Sequence, residues 1–254
     1  MKKCIRKQRF YHILKNRCMV MSGIAIAFLV FTMPALARDF KASIAQMPVY
    51  AESTDKGVLV DFVKAIADVS GSKVNIQVVP FNRSMNDVIS RVVDFHLPLI
   101  KSTIQDESKL DYDYSTETIF HVNFTLYTNK SKPLDINKLK DYNLETDLAH
   151  VQYFGFPVAG STSIEGSLKK VDAGRIDGFI FADNASDPVI KNLDLKNIHR
   201  QLYQVFDVKI ILPKGEHGKE TDKFLSDAIK KLRDNGKYDA IMGGIDRKFE
   251  DWQS

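Results

Sequence analysis

The alternation of two hydrophobic periodicities is the feature that most restricts the fold of this chain. Short apolar segments such as 40–45 and 74–78 have the composition of strands. The segment after Gly57 instead repeats apolar residues at the three-to-four-residue spacing of a helix. Strands that alternate with helices build a sheet with helices packed on it. The sequence therefore predicts an α/β fold.

Turn and cap residues place the limits of these elements. Gly71 ends the first helix, and a second helix is expected to open at Asn82-Arg83-Ser84. Thr162 and Glu165 have the spacing of a capping box before a third helix, and Asn235-Gly236 stops the last one. The predicted strands are 40–45, 74–78, 95–100, 176–181 and 206–212.

The N-terminal segment has the composition of a secretory signal. Seven Lys or Arg residues and no acid occur in residues 1–18, an apolar run covers 19–33, and Pro34-Ala35-Leu36-Ala37 follows. Such an order predicts a signal peptide at 1–37, cleaved after Ala37, and a periplasmic location. An uncleaved membrane anchor is the alternative, although about fifteen apolar residues are short of the roughly 20 that span a bilayer.

Removal of that segment changes the charge and the cysteine count. Both cysteines, Cys4 and Cys18, lie inside it, so the remaining chain has no disulfide and no thiolate metal site. Seven of the 36 basic residues also lie inside it, whereas all 32 acidic residues follow Ala37, which leaves a formal charge of −3. An acidic chain gives no reason to expect nucleic-acid binding.

Five short motifs follow one another beyond the signal segment. They are Gly57-x-x-x-Asp61-Phe62, Pro80-Phe81-Asn82-Arg83, Thr103–Ser108 followed by Tyr114-Ser115, Ala173-Gly174-Arg175-Ile176-Asp177-Gly178, and Asn235-Gly236-Lys237-Tyr238. In this order they resemble the motifs of the bacterial extracellular solute-binding proteins of family 3, the amino-acid-binding type. Each motif alone is common, but the ordered set behind a secretory signal is specific. The resemblance covers nearly all of the chain after residue 37.

The resemblance implies the two-lobed periplasmic binding protein fold of type II, with two crossing hinge segments. It places lobe 1 at 38–124 plus 204–254 and lobe 2 at 125–203, with the crossings at 124–127 and 206–209. Ligand then binds between the lobes, which close by a hinge motion. Loops at strand ends and free helix N-termini are expected to receive an oxygen-rich ligand.

One motif departs from the family at a ligand-binding position. In the resembled proteins an arginine ends the Thr103–Ser108 motif and binds the ligand's α-carboxylate, but here the position is Ser108. A serine cannot supply the charged, bidentate fork of a guanidinium group. We therefore expect free α-amino acids to bind poorly, and any anionic ligand to depend on Lys101 or Arg83.

Seven residues are predicted to bind the ligand. They are Tyr50, Phe81, Arg83, Lys101, Thr103, His150 and Asp183. The resemblance implies that the two aromatic residues stack on the ligand and that Asp183 lies near the family's acidic partner for an amino group. Four of them have a structural alternative: Phe81 belongs to a lobe core, His150 is a surface or structural histidine, Lys101 is a solvated loop lysine, and Arg83 lies on a helix surface or in a salt bridge. Asp177, Arg175 and Tyr238 are interpreted as structural.

The motifs of several enzyme classes are absent. The sequence contains no H-E-x-x-H, G-x-S-x-G, P-loop or glycine-rich dinucleotide turn, and its histidines are scattered. We therefore predict a monomeric periplasmic solute-binding protein for an ABC importer, not an enzyme, with no cofactor or metal. A ligand-sensing subunit of a membrane receptor is one alternative. A dehydratase-like enzyme on the same fold, which the resemblance also allows, is the other.

Overall fold

The structure, a computed structural model, describes residues 39–253. The predicted signal peptide and its cleavage site lie outside the described residues. The strands are β1 Asp39–Ala45, β2 Lys73–Val79, β3 Phe95–Ile100, β4 Tyr112–Asn129, β5 Leu144–Asp147, β6 Ala159–Ser161, β7 Gly178–Ala182 and β8 Ile198–Pro213. The α-helices are α1 Val58–Ser70, α2 Phe81–Ile89, α3 Ile164–Asp172, α4 Asp183–Asn192, α5 Glu216–Asp234 and α6 Lys237–Met242. No helix within 39–253 has the length and apolarity needed to cross a membrane.

All eight strands form one sheet in the order β2-β1-β3-β8-β4-β7-β5-β6. At one end β1 runs parallel to β2 and β3, and at the other β5 runs parallel to β6 and β7. The two long strands β4 and β8 pair antiparallel with each other and join the two ends. The predicted α/β fold with two lobes and two crossing segments is confirmed.

Between the lobes the sheet narrows to two strands. β3 pairs with β8 only as far as the pair Ile100–Val208, and β7 joins β4 from the pair Phe124–Ala182 onward. Residues 121–123 pair with 205–207 in the gap between them, and we call these six residues the neck. The expected crossing at 206–209 overlaps the neck, whereas that at 124–127 begins one residue after it. The lobe limits 38–124 plus 204–254 and 125–203 stay a prediction.

The first lobe is built on a large apolar core. Helix α1 ends at Gly71 as predicted, and its Phe62, Val63 and Ile66 are fully buried. They join a cluster with Leu225, Ile229 and other side chains from α5, α6 and the sheet. A second cluster under α3 and α4 includes Leu168, Val171 and Phe179 of the second lobe.

Two predicted helix starts are wrong. Helix α3 begins at Ile164, so Ser163 and not Thr162 is its N-cap, and the Ser163 hydroxyl accepts the Gly166 N–H at 2.9 Å. Glu165 then lies one position too early for a capping box, and its carboxylate pairs with Lys169. Helix α2 begins at Phe81, one residue before the expected opening, because Pro80 takes the N-cap position.

Candidate functional site

The loop that carries Tyr50 is fixed by the start of α1. The Val58 and Leu59 N–H groups donate to the Val49 and Tyr50 carbonyls at 3.2 and 2.9 Å. Gly57 permits this approach, since it has a φ of 140° and an added Cβ would lie 2.5 Å from the Tyr50 carbonyl oxygen. These two amides of α1 therefore bind the protein's own backbone rather than a ligand.

Tyr50 reaches across to the second lobe. Its hydroxyl accepts a hydrogen bond of 2.8 Å from the Asn184 side-chain amide at the start of α4. Its ring stacks on Phe120 of β4 with the centroids 5.7 Å apart. Burial raises the pKa of the Tyr50 hydroxyl, against a smaller lowering effect of the bond from Asn184. Tyr50 thus stays protonated and links the lobes directly.

Asp183 lies beside this contact and is held by the neck. Its carboxylate accepts from the Asn123 side-chain amide at 3.0 Å, and Asn123 also donates to the Arg247 carbonyl at 3.0 Å. Burial raises the pKa of Asp183, although the bond from Asn123 lowers it. A half-buried carboxylate at the rim of the neck favours a cationic or hydrogen-bond-donating group nearby.

Three buried aromatic residues cover the sheet next to the neck. Phe120, Phe124 and Phe206, which we call the aromatic floor, are at most 2% exposed, and the rings of Phe124 and Phe206 are 4.8 Å apart. Tyr50 contacts the floor from the first lobe, and His150 and Tyr153 contact it from the second. Side chains of both lobes therefore converge on one apolar surface.

Lys101 and Thr103 lie at the opposite edge of the neck. The Lys101 N–H donates to the Asp207 carbonyl at 2.8 Å, and its ammonium group lies 2.7 Å from Glu107 and 5.6 Å from the Tyr114 ring centroid. Glu107 thus neutralises the charge that was expected to bind an anion. The Thr103 hydroxyl accepts from Gln204 at 3.3 Å.

His150 contributes an aromatic face from the second lobe. Its Nδ1 lies 3.0 Å from the Asp147 carboxylate, and its ring lies between 5.2 and 5.7 Å from the rings of Phe124, Tyr153 and Phe181. Tyr153, which lies in none of the five sequence motifs, donates to the Ile100 carbonyl of the first lobe at 3.1 Å. This bond is a second direct link between the lobes.

Phe81 and Arg83 belong to α2 on the first lobe. Phe81 is 39% exposed and lies edge-on to the His96 ring at 5.6 Å, while Arg83 is exposed. In the described part of the chain no hydrogen bond, ion pair or ring contact joins either residue to the neck or the second lobe. The structure thus gathers five of the seven predicted residues around the neck and leaves these two apart.

The sequence profile of the bacterial extracellular solute-binding proteins, family 3, matches residues 42–243. That range includes both lobes, the neck and all seven predicted site residues. The chain belongs to this family. No curated protein sequence matches it.

Solved structures related to this family member share its fold. The GluR0 ligand-binding core from Nostoc punctiforme with L-glutamate has a TM-score of 0.59 at 16% identity, over 82% of this chain and 100% of that chain. A histidine kinase sensor domain similar to periplasmic binding proteins has 0.58 at 18%, over 82% and 95%. The arginine-, lysine-, histidine-binding protein ArtJ from Geobacillus stearothermophilus has 0.57 at 17%, over 84% and 97%. Identities this low show the fold alone.

Three motif residues of this family member form local hydrogen bonds. One of them is Ser108, which occupies the position of the family's arginine. The Ser108 hydroxyl donates to Asp106 at 2.7 Å within a short 3-10 helix, Glu107–Lys109. Asp177 accepts the Asn143 N–H at 2.8 Å, and Tyr238 donates to the Ile119 carbonyl at 2.8 Å. These bonds favour the structural interpretation of Asp177 and Tyr238.

Several residues of the site were missed because their sequence context is unremarkable. Asn123 and Gln204 lie within long strands, and Tyr153 lies in a 3-10 helix, Leu148–Tyr153, that no periodicity marks. The only signal was the aromatic run Tyr153-Phe154-Gly155-Phe156. Within residues 39–253 no group of three or more His, Cys, Asp or Glu side chains is arranged to hold a metal ion.

Proposed function

We propose that this chain is a periplasmic binding protein that holds a small polar solute between its lobes and delivers it to an ABC importer. The observation that carries the proposal is the convergence of both lobes on the aromatic floor, with Tyr50 bonded to Asn184 across the gap. A solute that enters between the lobes meets aromatic faces, an amide and a carboxylate. Such a mixture of apolar walls and few polar groups is typical of small-molecule sites.

The charges around the neck favour a solute that is not a simple α-amino acid. Lys101 is paired with Glu107, and Ser108 replaces the family's arginine. Arg83 is the predicted cation that has no ion-pair partner among the described residues, and a movement of α2 would be needed to bring it to the neck. Asp183 instead offers an acceptor for an amino or hydroxyl group of the solute.

The solute can be identified on the exported protein itself. Native mass spectrometry gives the mass of what is bound, and calorimetry with L-arginine, L-glutamate and L-glutamine tests the common amino acids. We expect these three to bind with Kd values above about 1 mM, and micromolar binding of any of them would contradict the argument from Ser108. Asp183→Asn removes the negative charge of this acceptor and should weaken the binding of a cationic solute, with Asp194→Asn on the surface of the same lobe as the matched control.

A sensor subunit is the second candidate, and the likeness to a histidine kinase sensor domain favours it. Transport and sensing use the same closure but differ in the partner that recognises the closed form. Deletion of the gene separates them: loss of solute uptake supports transport, whereas loss of a transcriptional response with normal uptake supports sensing.

The serine–histidine pair of the first lobe does not support an enzymatic function for this chain. The Ser84 hydroxyl is hydrogen-bonded to Nδ1 of His96, whereas a hydrolase serine is bonded to Nε2, and both side chains are fully buried beneath α2. A substrate would have to displace the helix to reach them. We therefore propose that the chain binds its solute without chemical change.

A further inference from the structure

The C-terminal segment runs from the first lobe back to the second. Residues 246–253, which we call the strap, follow α6 and lack regular structure. At the neck the Asp246 carboxylate accepts from the backbone N–H and Nδ1 of His121 at 3.0 and 2.9 Å. The next carbonyl, that of Arg247, accepts from Asn123. The strap therefore passes along β4, one of the two strands that join the lobes.

The far end of the strap is anchored on the second lobe. The Trp252 indole N–H donates to Asp187 at 3.0 Å, and its ring centroid lies 4.4 Å from the Lys191 ammonium and 4.8 Å from the Arg200 guanidinium. Gln253 donates to the Ile198 carbonyl at 3.0 Å. Cation–π contacts and a charge-assisted bond thus hold a residue that is 38% exposed.

The anchor uses a buried charged group and not only surface side chains. Arg200 is 3% exposed, donates to both carboxylate oxygens of Asp187, and also donates to the Glu250 carbonyl of the strap at 3.0 Å. The Phe249 ring lies 4.9 Å from the same guanidinium. The strap therefore contacts a buried arginine of the second lobe at one end and the neck at the other.

We propose that the strap is a third tie between the lobes and that Trp252 is a positioning residue for solute binding. Two strands alone leave a hinge, and a segment fixed on both sides of that hinge restrains how far it opens. Because a solute gripped by both lobes binds the closed form, the affinity falls with the fraction of molecules that are closed. The solute-binding part of this inference rests on the proposed function; the restraint on opening does not.

The restraint is measurable without a solute. In an exported chain with Cys4 and Cys18 replaced by serine, Tyr50→Cys and Asn184→Cys place two thiols that a short bifunctional thiol-reactive cross-linker joins when the lobes meet. A cross-linker is needed because the contact spans a tyrosine ring, which is too long for a direct disulfide. We expect Trp252→Ala to slow this cross-linking by about tenfold and to increase the radius of gyration. Trp252→Phe, which keeps a ring over both cations, is the matched control and should stay within about twofold of the parent.

Tryptophan fluorescence reports whether the strap is bound to the second lobe, because Trp252 is the single tryptophan of the chain. Its fluorescence should be only partly accessible to the neutral quencher acrylamide in the native protein and become fully accessible on denaturation. Equal cross-linking rates in the parent and in a folded Trp252→Ala variant would overturn the proposal. If that variant does not fold, Trp252→Leu, which keeps an apolar side chain but no ring over the cations, decides by the same measurement. A slowed cross-link in a protein that binds no solute would uphold the strap and refute the proposed function.

Discussion

The polar side chains buried beneath α2 of the first lobe differ in charge from those buried around Arg200 of the second lobe. Beneath α2 the first lobe buries a neutral row, in which Ser84 bonds to both Ser43 and His96 and Gln77 donates to Ser43. The second lobe buries a charged pair, Arg200 with Asp187. Burial of a neutral hydrogen-bonded group costs little, whereas a buried charge depends on every one of its partners. The charged pair is therefore more sensitive to the loss of one partner than the neutral row beneath α2.

The starts of the helices show a second difference between the lobes. Helix α1 of the first lobe is fixed by carbonyl groups of the loop that precedes it, whereas α3 of the second lobe is capped by the Ser163 side chain. The start of α1 depends on a glycine, Gly57, whereas the start of α3 depends on the hydroxyl group of Ser163. Different substitutions are therefore expected to disrupt the helix starts of the two lobes.

The largest effect is expected at the charged pair of the second lobe. Arg200→Met should lower the free energy of unfolding by about 3–5 kcal/mol, because it leaves the Asp187 carboxylate, only 15% exposed, without its cation. Chemical denaturation measures the change. Lys64→Met removes the exposed pair with Asp55 in the first lobe and should cost less than about 1 kcal/mol. Similar costs at both sites would break the contrast between the lobes.

The neutral row of the first lobe should make its stability depend on pH. Burial lowers the pKa of His96 to about 3, below its ordinary value of 6.5. Below pH 6.5 the unfolded chain binds a proton that the folded chain does not, so stability falls by about 1.4 kcal/mol per pH unit until pH 3. The Asp87 carboxylate accepts a hydrogen bond from Gln77 of this row, not from His96.

Urea unfolding between pH 7 and pH 4 checks this dependence, with His96→Gln as the comparison. The variant lacks the titrating ring, so its free energy of unfolding should depend less steeply on pH. The difference should correspond to nearly one bound proton. His217→Gln is the matched control, because its ring is more exposed and lies beside Asp94. A slope that is the same in the parent and in His96→Gln would contradict the burial of a neutral histidine.

The contrast between the lobes also explains what the sequence could predict. Helix α1 and its core were predicted from the spacing of Phe62, Val63 and Ile66, because apolar burial leaves a period in the sequence. The strand predicted at 206–212 is only the second half of β8, because Arg200 is buried within the first half and interrupts the apolar pattern. Charged burial depends on partners distant in sequence, such as Asp187 and Trp252, and no local pattern reveals them.

The sequence likewise predicted some residues of the site and missed others. Tyr50 and Asp183 follow strand ends, where the resemblance to the family places ligand contacts, and both lie at the neck. Lys101 was selected for its charge, but its partner Glu107 becomes a neighbour only when the intervening loop folds back. Tyr153 reaches the first lobe through the closure of the two lobes, which the sequence of a single element does not specify.

An intermediate effect is expected at Gly57. Gly57→Ala should destabilise the protein by about 1–3 kcal/mol, because the new Cβ meets the Tyr50 carbonyl and the residue keeps a φ of 140°. It should also displace Tyr50 and weaken its bond to Asn184. Gly155→Ala, whose Cβ would meet nothing within 4 Å, is the control and should change stability by less than about 0.5 kcal/mol. Thermal unfolding of the two variants measures both values.

The smallest effect distinguishes Ser163 from Thr162 at the start of α3. Ser163→Ala should cost about 1 kcal/mol, since the Gly166 N–H loses its side-chain acceptor, whereas Thr162→Ala should be neutral within about 0.5 kcal/mol. The two substitutions lie side by side on an exposed segment, so each is the control for the other. Urea unfolding resolves the difference. A larger loss at Thr162 would restore the capping box and would mean that α3 begins one residue earlier, with Glu165 bonded back to the Thr162 N–H.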